Sequence, residues 1–389
     1  MVPLRVLQVH NAYRETGGED TVVAKEGALL REAGHVVHEY RVANPDAALA
    51  AGASLLVAPW NPRSARRIKE FISNSRPDVA HVHNTWWALS PSVVRAVAEL
   101  GVPVVLTLHN YRLLCANALL FRNGAPCEDC VGRPPWHGVQ HRCYRNSLPE
   151  SFLAASTIAL NRRVGTWDSV ALFLALTEFA KGRFVAGGLP HSRVRVKANF
   201  VDDPGERSGR PSESNTVLFV GRLSNEKGVP VLLEAWSELE HRDMELAIVG
   251  DGPLRAGLDT AAFSNVRFLG PQPPGEVRRL MLSARALVFP SIWYEGQPMV
   301  LLEALAAGLP LAVSDIGGIA GTIGNANTAR LAAPGDLQSW ARALAGLGDD
   351  GWVDSAGAAS RKEFETRYTP AVGLVELESS YAQAIASMG

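Results

Sequence analysis

PSIWYEGQPMVLLEALAAGLP, Pro290 to Pro310, follows a short β-rich run, Ala286–Phe289, and leads through a polar loop into an apolar helix, Pro298–Ala307. A strand running into a loop and then a helix is the repeating unit of a parallel sheet with crossover helices. Two carboxylates stand in this stretch, Glu295 in the loop and Glu303 eight residues later within the helix. Gly296 and Gln297 lead into Pro298, whose missing N–H costs little in a first helical turn, and the N–H groups of that turn, from Met299 on, suit a phosphate or a sugar hydroxyl. Glu303 is flanked by Leu301, Leu302, Ala304 and Leu305. A carboxylate on so apolar a helix needs a partner, and two vicinal ribose hydroxyls would serve. The alternative is the solvent stripe of an amphipathic helix, which the wide apolar coverage disfavours.

The same alternation extends in both directions. Upstream, strands are expected at Thr216–Gly221, Glu245–Val249 and Val266–Leu269, with helices over Gly228–Glu240 and Pro253–Ala262; downstream, a strand is expected at Leu311–Val313. In VGRLSNEKG a strand ends at Gly221, and Arg222 and Lys227 stand on the loop leading into a helix. Ligands of doubly wound sheets bind at the carboxyl ends of strands, where two cations can neutralise charge on a departing diphosphate. As mere surface cations they would oppose the helix dipole. VGDGP repeats the pattern: Gly250 and Gly252 allow close backbone approach before a helix led by Pro253. Such a turn needs no ligand to justify its glycines.

The first half carries strand patterns at Leu4–Val9, Val36–Val42, Val79–His83, Val102–Leu108, Val170–Leu176 and Val194–Ala198, with Gly34 and Gly101 placed to end intervening helices. VDDPGERSGRPSESN, Val201–Asn215, reads as a linker rich in Pro, Gly, Ser and charge. The expected organisation is an α/β chain of two Rossmann-like domains, residues 1–200 and 201–369, with a C-terminal amphipathic helix in 370–389 packing back toward the first. A length of 389 residues agrees, being too great for one ordinary core.

Composition excludes several classes. With 47% hydrophobic and 20% charged residues the chain reads as globular, and 38 Lys and Arg against 39 Asp and Glu create no field for nucleic acid. No signal peptide and no apolar run of the roughly 20 residues needed to span a bilayer is visible. The expectation is a cytoplasmic protein, with peripheral contact at the inner membrane face left open.

One tract breaks the α/β rhythm. Residues 109–146 hold all four cysteines, Cys115, Cys127, Cys130 and Cys143, together with Arg112, Arg122, Arg133, Arg142 and Arg145 against Glu128 and Asp129. Cys127-Glu-Asp-Cys130 has zinc-knuckle spacing, and Cys115 and Cys143 bracket it. A structural zinc, reduced thiols packed as small hydrophobes, and a redox pair all remain open. The arginines suit an anionic or lipid-phosphate acceptor, or a solvated basic surface.

These motifs together resemble the retaining GT-B glycosyltransferases of family 4, whose pattern is a glutamate, seven residues and a second glutamate. Glu295 and Glu303 match it, and the GRL–EKG, GDGP, VRFLG and LEALAAGLP segments stand in the family's order. The resemblance covers nearly the whole chain. It implies two Rossmann-like domains facing across a cleft, and transfer of a sugar from a UDP- or GDP-type donor to a hydroxyl acceptor. That acceptor would be a glycan, lipid-linked saccharide or small molecule, in polysaccharide, glycolipid or natural-product glycoside biosynthesis. Arg222 and Lys227 would contact the diphosphate, Glu303 the ribose and Glu295 the transferred sugar. ETGGEDTVV resembles the family's glycine loop, with Gly18 approaching the donor phosphate, and His109 matches its active-site histidine. Gln297 departs from the family's usual phenylalanine, which leaves the sugar undefined. No Asp-x-Asp motif is present, so no cofactor is expected for catalysis. An epimerase or phosphorylase of the same architecture and a noncatalytic nucleotide-binding module are the alternatives; no lysine context supports the pyridoxal phosphate that a phosphorylase needs.

Overall fold

Alternation of β-branched runs with amphipathic ones folds into two separate parallel sheets in the computed structural model, which describes residues 2–12, 17–45, 52, 54–239, 243–258, 265–324 and 326–388. The strands of the first half are β1 (Arg5–Ala12), β2 (Val36–Ala43), β3 (Val79–Asn84) and β4 (Val104–Leu108). A small hairpin of β5 (Phe121–Arg122) and β6 (Ala125–Pro126) follows, and then come β7 (Leu172–Ala175) and β8 (Val194–Val196). The six longer strands pair in the order β2-β1-β3-β4-β7-β8, all parallel. β3, β4 and β7 are buried along their whole length, as strands covered by helices on both faces must be.

The second sheet contains β9 (Thr216–Val220), β10 (Glu245–Val249), β11 (Val266–Gly270), β12 (Ala286–Phe289), β13 (Leu311–Ser314) and β14 (Ala329–Ala332), in the order β11-β10-β9-β12-β13-β14. Again every pairing is parallel. Its core gathers Val217, Phe219, Leu246, Ile248 and Val288 with Trp236 and Trp340 from the covering helices. β14 was not anticipated, because ARLA is short and carries a charge at Arg330.

The chain divides into two compact units. One comprises Met1–Arg122, Cys127–Asn199 and Gly373–Gly389; the other comprises Asn123–Pro126 and Phe200–Val372. Helix Pro370–Ala386 thus returns to the first unit, where Leu377, Tyr381 and Ala384 join Val6, Leu30, Val79, Val105, Leu172 and Leu174 in one core.

Two expectations need correction. The stretch read as a helix over Pro253–Ala262 is, within its described part, a turn and a 3-10 segment, Arg255–Gly257; residues 259–262 lie outside the described residues. The Leu254 N–H donates to Leu223 O at 3.0 Å, so the chain there is tied to a neighbouring loop instead of starting a helix. The segment read as a linker is firmly held. Arg207 donates to the carbonyls of Met281, Ala284 and Ala307, at the ends of helices Pro274–Ser283 and Met299–Ala306. A guanidinium there meets orphan carbonyls and the negative end of each helix dipole. Asp203 pairs with Arg361, and the Ser212 hydroxyl donates to Asp354. No helix among the described residues is long and apolar enough to cross a membrane.

Candidate active site

Strand order reverses in the second sheet between β9 and β12, since β10 and β11 lie on one side and β13 and β14 on the other. Such a switch point leaves a crevice beyond the carboxyl ends of the two strands, because their loops diverge. The loop after β9 carries Arg222 and Lys227; the loop after β12 carries Glu295. Lys227 Nζ lies 2.6 Å from Glu295 Oε1. The same oxygen accepts from Ser291 Oγ and from the Trp293 indole N–H, both at 2.8 Å. Glu295 is buried, and three donors on one oxygen compensate its desolvation. Oε2 has no hydrogen-bond partner among the described residues and so keeps its lone pairs free. Lys227 also sits 5.4 and 5.5 Å from the ring centres of Phe289 and Trp293, so its charge is held by two π faces as well as by the carboxylate.

Backbone packing shapes these loops. Lys227 closes a 3-10 turn, Asn225–Lys227, and Gly228 follows at φ +69°, where a Cβ would fall 1.9 Å from Pro290 O. Only glycine lets the β9 and β12 loops approach so closely. Gly250 and Gly252 have a packing role of the same kind. A Cβ on Gly250 would meet Gly221 O at 1.9 Å and one on Gly252 would meet Leu223 O at 2.4 Å, so these glycines serve the packing of one loop on another.

Arg222 is exposed, and its side chain makes no hydrogen bond or ion pair among the described residues. Gly296 and Gln297 lead into Pro298, which is the N-cap of helix Met299–Ala306 rather than its first residue, and no side chain caps that helix start. Glu303 lies half-buried in the middle of the helix. The sequence reading missed Ser291 and Trp293, although both stand within four residues of Glu295.

In the first unit the corresponding strand ends enclose a buried polar cluster. His81 and His83, two apart on β3, project from the same face of the strand, and their rings lie 4.0 Å apart. His81 Nδ1 is 2.9 Å from Tyr381 Oη, and its Nε2 is 2.7 Å from Thr107 Oγ1. His83 Nδ1 is 3.1 Å from His109 Nε2, with the two rings stacked. Beneath them the Glu26 carboxylate contacts Lys197 Nζ, both side chains fully buried, while its other oxygen lies 3.6 Å from His81 and 3.7 Å from His83. Burial pushes His81 down to about 4, against the pull of Glu26. Burial, with Lys197 and neighbouring imidazoles adding to it, holds His83 and His109 well below the ordinary histidine value. His109 is therefore a neutral ring at the mouth of a cavity of about 50 Å³ that His83, Trp86 and Arg112 also line. Gly18 begins helix Gly18–Glu32; residues 13–16, which include part of the glycine loop, lie outside the described residues. Glu26, His81, His83 and Lys197 were absent from the sequence reading, though the HVH alternation of β3 was a signal for two of them.

The excursion after His109 has little regular structure beyond the β5–β6 hairpin and a four-residue helix, His137–Gln140. Six of the eight non-glycine residues with left-handed φ lie here among the described residues: Ala118, Leu120, Asn123, Arg142, Arg145 and Asn146. All four cysteines are free thiols facing one small cavity. Their sulfurs have not closed to metal-ligand spacing. The one such group among the described residues, with ligand atoms all within 4.8 Å, is Glu26, His81 and His83. Several of the arginines are engaged: Arg122 pairs with Asp129 at 2.9 Å, Arg145 with Glu150 at 3.5 Å, and Arg112 lies over the rings of Trp86 and Tyr144.

Two family models account for almost the whole length: Glycosyltransferase Family 4 matches residues 5–203 and Glycosyl transferases group 1 matches residues 203–363. The chain is a family 4 glycosyltransferase. It is 29% identical over 371 residues to a phosphatidyl-myo-inositol mannosyltransferase of Mycolicibacterium smegmatis, covering 90% of this chain and 86% of that one. It is also 29% identical over 278 residues to the 2-deoxystreptamine glucosyltransferase of Streptomyces kanamyceticus, covering 69% and 67%. Among solved structures, the glycosyltransferase superposes on one from Rickettsia africae with a TM-score of 0.69 at 15% identity, covering 99% of each chain. Anabaena HepE in complex with UDP and glucose gives 0.63 at 16% identity, covering 97% of this chain and all of that one. The likeness at this identity establishes the fold, GT-B, with its two Rossmann-like α/β domains.

Proposed function

We propose that this glycosyltransferase is a retaining enzyme that moves a sugar from a UDP- or GDP-type nucleoside diphosphate to a hydroxyl acceptor. The observation that carries the reading is the pairing of Lys227 with Glu295 at the β9–β12 switch point, beside the exposed Arg222. Three donors fix Glu295 Oε1 and leave Oε2 for hydroxyls of the transferred sugar. Arg222, Lys227 and the uncapped helix start at Met299 meet the diphosphate, and Glu303 meets the ribose. The relatives named as mannosyl- and glucosyltransferases, and the UDP and glucose held by HepE, support a nucleotide-sugar donor.

As the bond from the anomeric carbon to the diphosphate breaks, negative charge grows on the leaving oxygen and the two cations stabilise it. The acceptor oxygen bonds to the anomeric carbon on that same face, and its proton passes to the departing diphosphate. His109 suits a hydrogen bond to the sugar better than proton abstraction, because a ring held so far below the ordinary histidine value is a weak base. With charge supplied by Arg222 and Lys227, transfer proceeds without a catalytic metal. The route served is polysaccharide, glycolipid or natural-product glycoside synthesis.

Early-time NMR of the anomeric proton tests the stereochemistry: an α-linked donor gives an α-linked product. A β-linked first product would overturn the retaining mechanism. Omitting divalent cations from the assay leaves the rate unchanged, whereas a requirement for added Mg²⁺ or Mn²⁺ would remove the metal-free reading.

A further inference from the structure

The cysteine cavity plays no part in the sugar-transfer reading, yet its chemistry is specific. Four separate turns deliver one sulfur each. Cys115 N–H closes a turn onto Tyr111 O, and Cys127 leaves the β5–β6 hairpin with its N–H on Leu120 O. Cys130 stands inside the turn that Val131 N–H closes on Glu128 O, and Cys143 follows helix His137–Gln140 with its N–H on Gly138 O. The space they surround is about 10 Å³, lined also by Arg122 and His137. That is room for one atom-sized occupant and not for an organic ligand.

Two backbone donors already point at the sulfurs. The N–H of Asp129 faces Cys127, and the N–H of Gly138 faces Cys130. Burial outweighs these donors and holds the Cys127, Cys130 and Cys143 thiols above the ordinary value, so a metal binding here displaces their protons. Gly138 cannot be larger, since a Cβ there would meet the Ala116 Cβ at 2.8 Å. Arg122 and Arg162 also lie close enough to interact electrostatically with these cysteines. Four thiolates around a divalent ion carry two surplus negative charges; Arg162 faces them, while Arg122 is shared with Asp129.

We propose that Cys115, Cys127, Cys130 and Cys143 hold one zinc ion as a closed tetrathiolate centre that fixes the 109–146 excursion. A structural site of this type has no open position, so it contributes to folding and not to chemistry. The rival group, Glu26 with His81 and His83, is a poor cation site because the Lys197 ammonium already occupies its carboxylate.

The full-length protein, purified without chelator, is analysed for metal by mass spectrometry and titrated with a mercurial in the presence of a zinc-sensitive dye. One zinc per chain, released in step with the thiols, is expected. Protein refolded with Co²⁺ shows the intense thiolate-to-metal charge transfer and visible bands of a tetrahedral sulfur site, which tests the proposal in the unmutated chain. Cys130→Ser lowers zinc content and thermal stability together, while His137→Ala keeps the metal. Zinc-free protein with four freely reacting thiols and no cobalt spectrum would overturn the proposal. So would zinc that survives Cys130→Ser, or zinc that is lost with His137→Ala.

Discussion

At the carboxyl ends of the first sheet the ionisable groups are sealed: Glu26 and Lys197 are fully buried against each other, with His81 and His83 packed beside the carboxylate. At the same ends of the second sheet, Arg222 is exposed, Lys227 is partly so, and Glu295 alone is buried. Both sheets are parallel and doubly wound, so topology does not make the difference. The loops do. The loop after β9 packs on the loop after β12 through Gly228 and on the loop after β10 through Gly250 and Gly252, and leaves its cations facing outward. The strands β1, β3 and β4 instead turn polar side chains inward, where only internal partners can satisfy them. One region spends charge on holding itself together, and the other leaves charge available to a ligand.

The contrast breaks most easily at Glu26. Glu26→Ala leaves the Lys197 ammonium buried without its carboxylate, which costs about 3–5 kcal/mol of stability. Lys227→Ala, by the same measure of denaturant midpoint, costs less, about 1–3 kcal/mol, since the buried Glu295 carboxylate keeps the Ser291 and Trp293 donors. Equal losses in the two variants would erase the distinction.

Turnover reverses the ranking. Arg222→Ala and Lys227→Ala each lower the rate of sugar transfer by about two powers of ten or more, because their charges face the departing diphosphate. Steady-state kinetics on folded protein check this, and near-native rates from both variants would dismiss the clamp.

A smaller effect is expected at Glu303. Glu303→Gln weakens binding of the nucleoside diphosphate by about tenfold, through the loss of one charge-assisted contact. Calorimetry with the nucleotide alone separates this from any effect on the sugar; unchanged affinity would make the residue structural.

The last expected change is with pH. His81 titrates near 4 when folded and near 6.5 when unfolded, so the unfolded chain takes up the proton first as pH falls. Its contribution is complete above pH 6.5 and is lost progressively toward pH 4, amounting to about 1 kcal/mol between pH 6.5 and 5.5. His83 and His109 are displaced in the same direction and act with the same sign. Stability that stays flat over this range would show that the cluster is open to solvent.

Sequence legibility follows the same division. Every strand read from the sequence is present; the central ones, such as β3, β4 and β7, are contiguous apolar runs because both their faces are buried. The Lys227–Glu295 site was legible because both residues stand on loops, outside any periodic pattern. Glu26 was not: in EDTVVAKEGALL it looks like one of the charges on a solvated helix face, and its partner lies 171 residues away at the end of β8. Arg207 was misread for a related reason. Composition marks it as linker, and only the fold supplies the three helix-end carbonyls that bind it.

Helix Pro370–Ala386 has a consequence for the nascent chain. Tyr381 supplies the partner of His81, and Leu377 and Ala384 help fill the first core, yet all three leave the ribosome after the entire second unit. Until they emerge, the half synthesised first has an uncovered apolar strip on its sheet. A chain truncated anywhere before residue 377 lacks the side chains that close its first core.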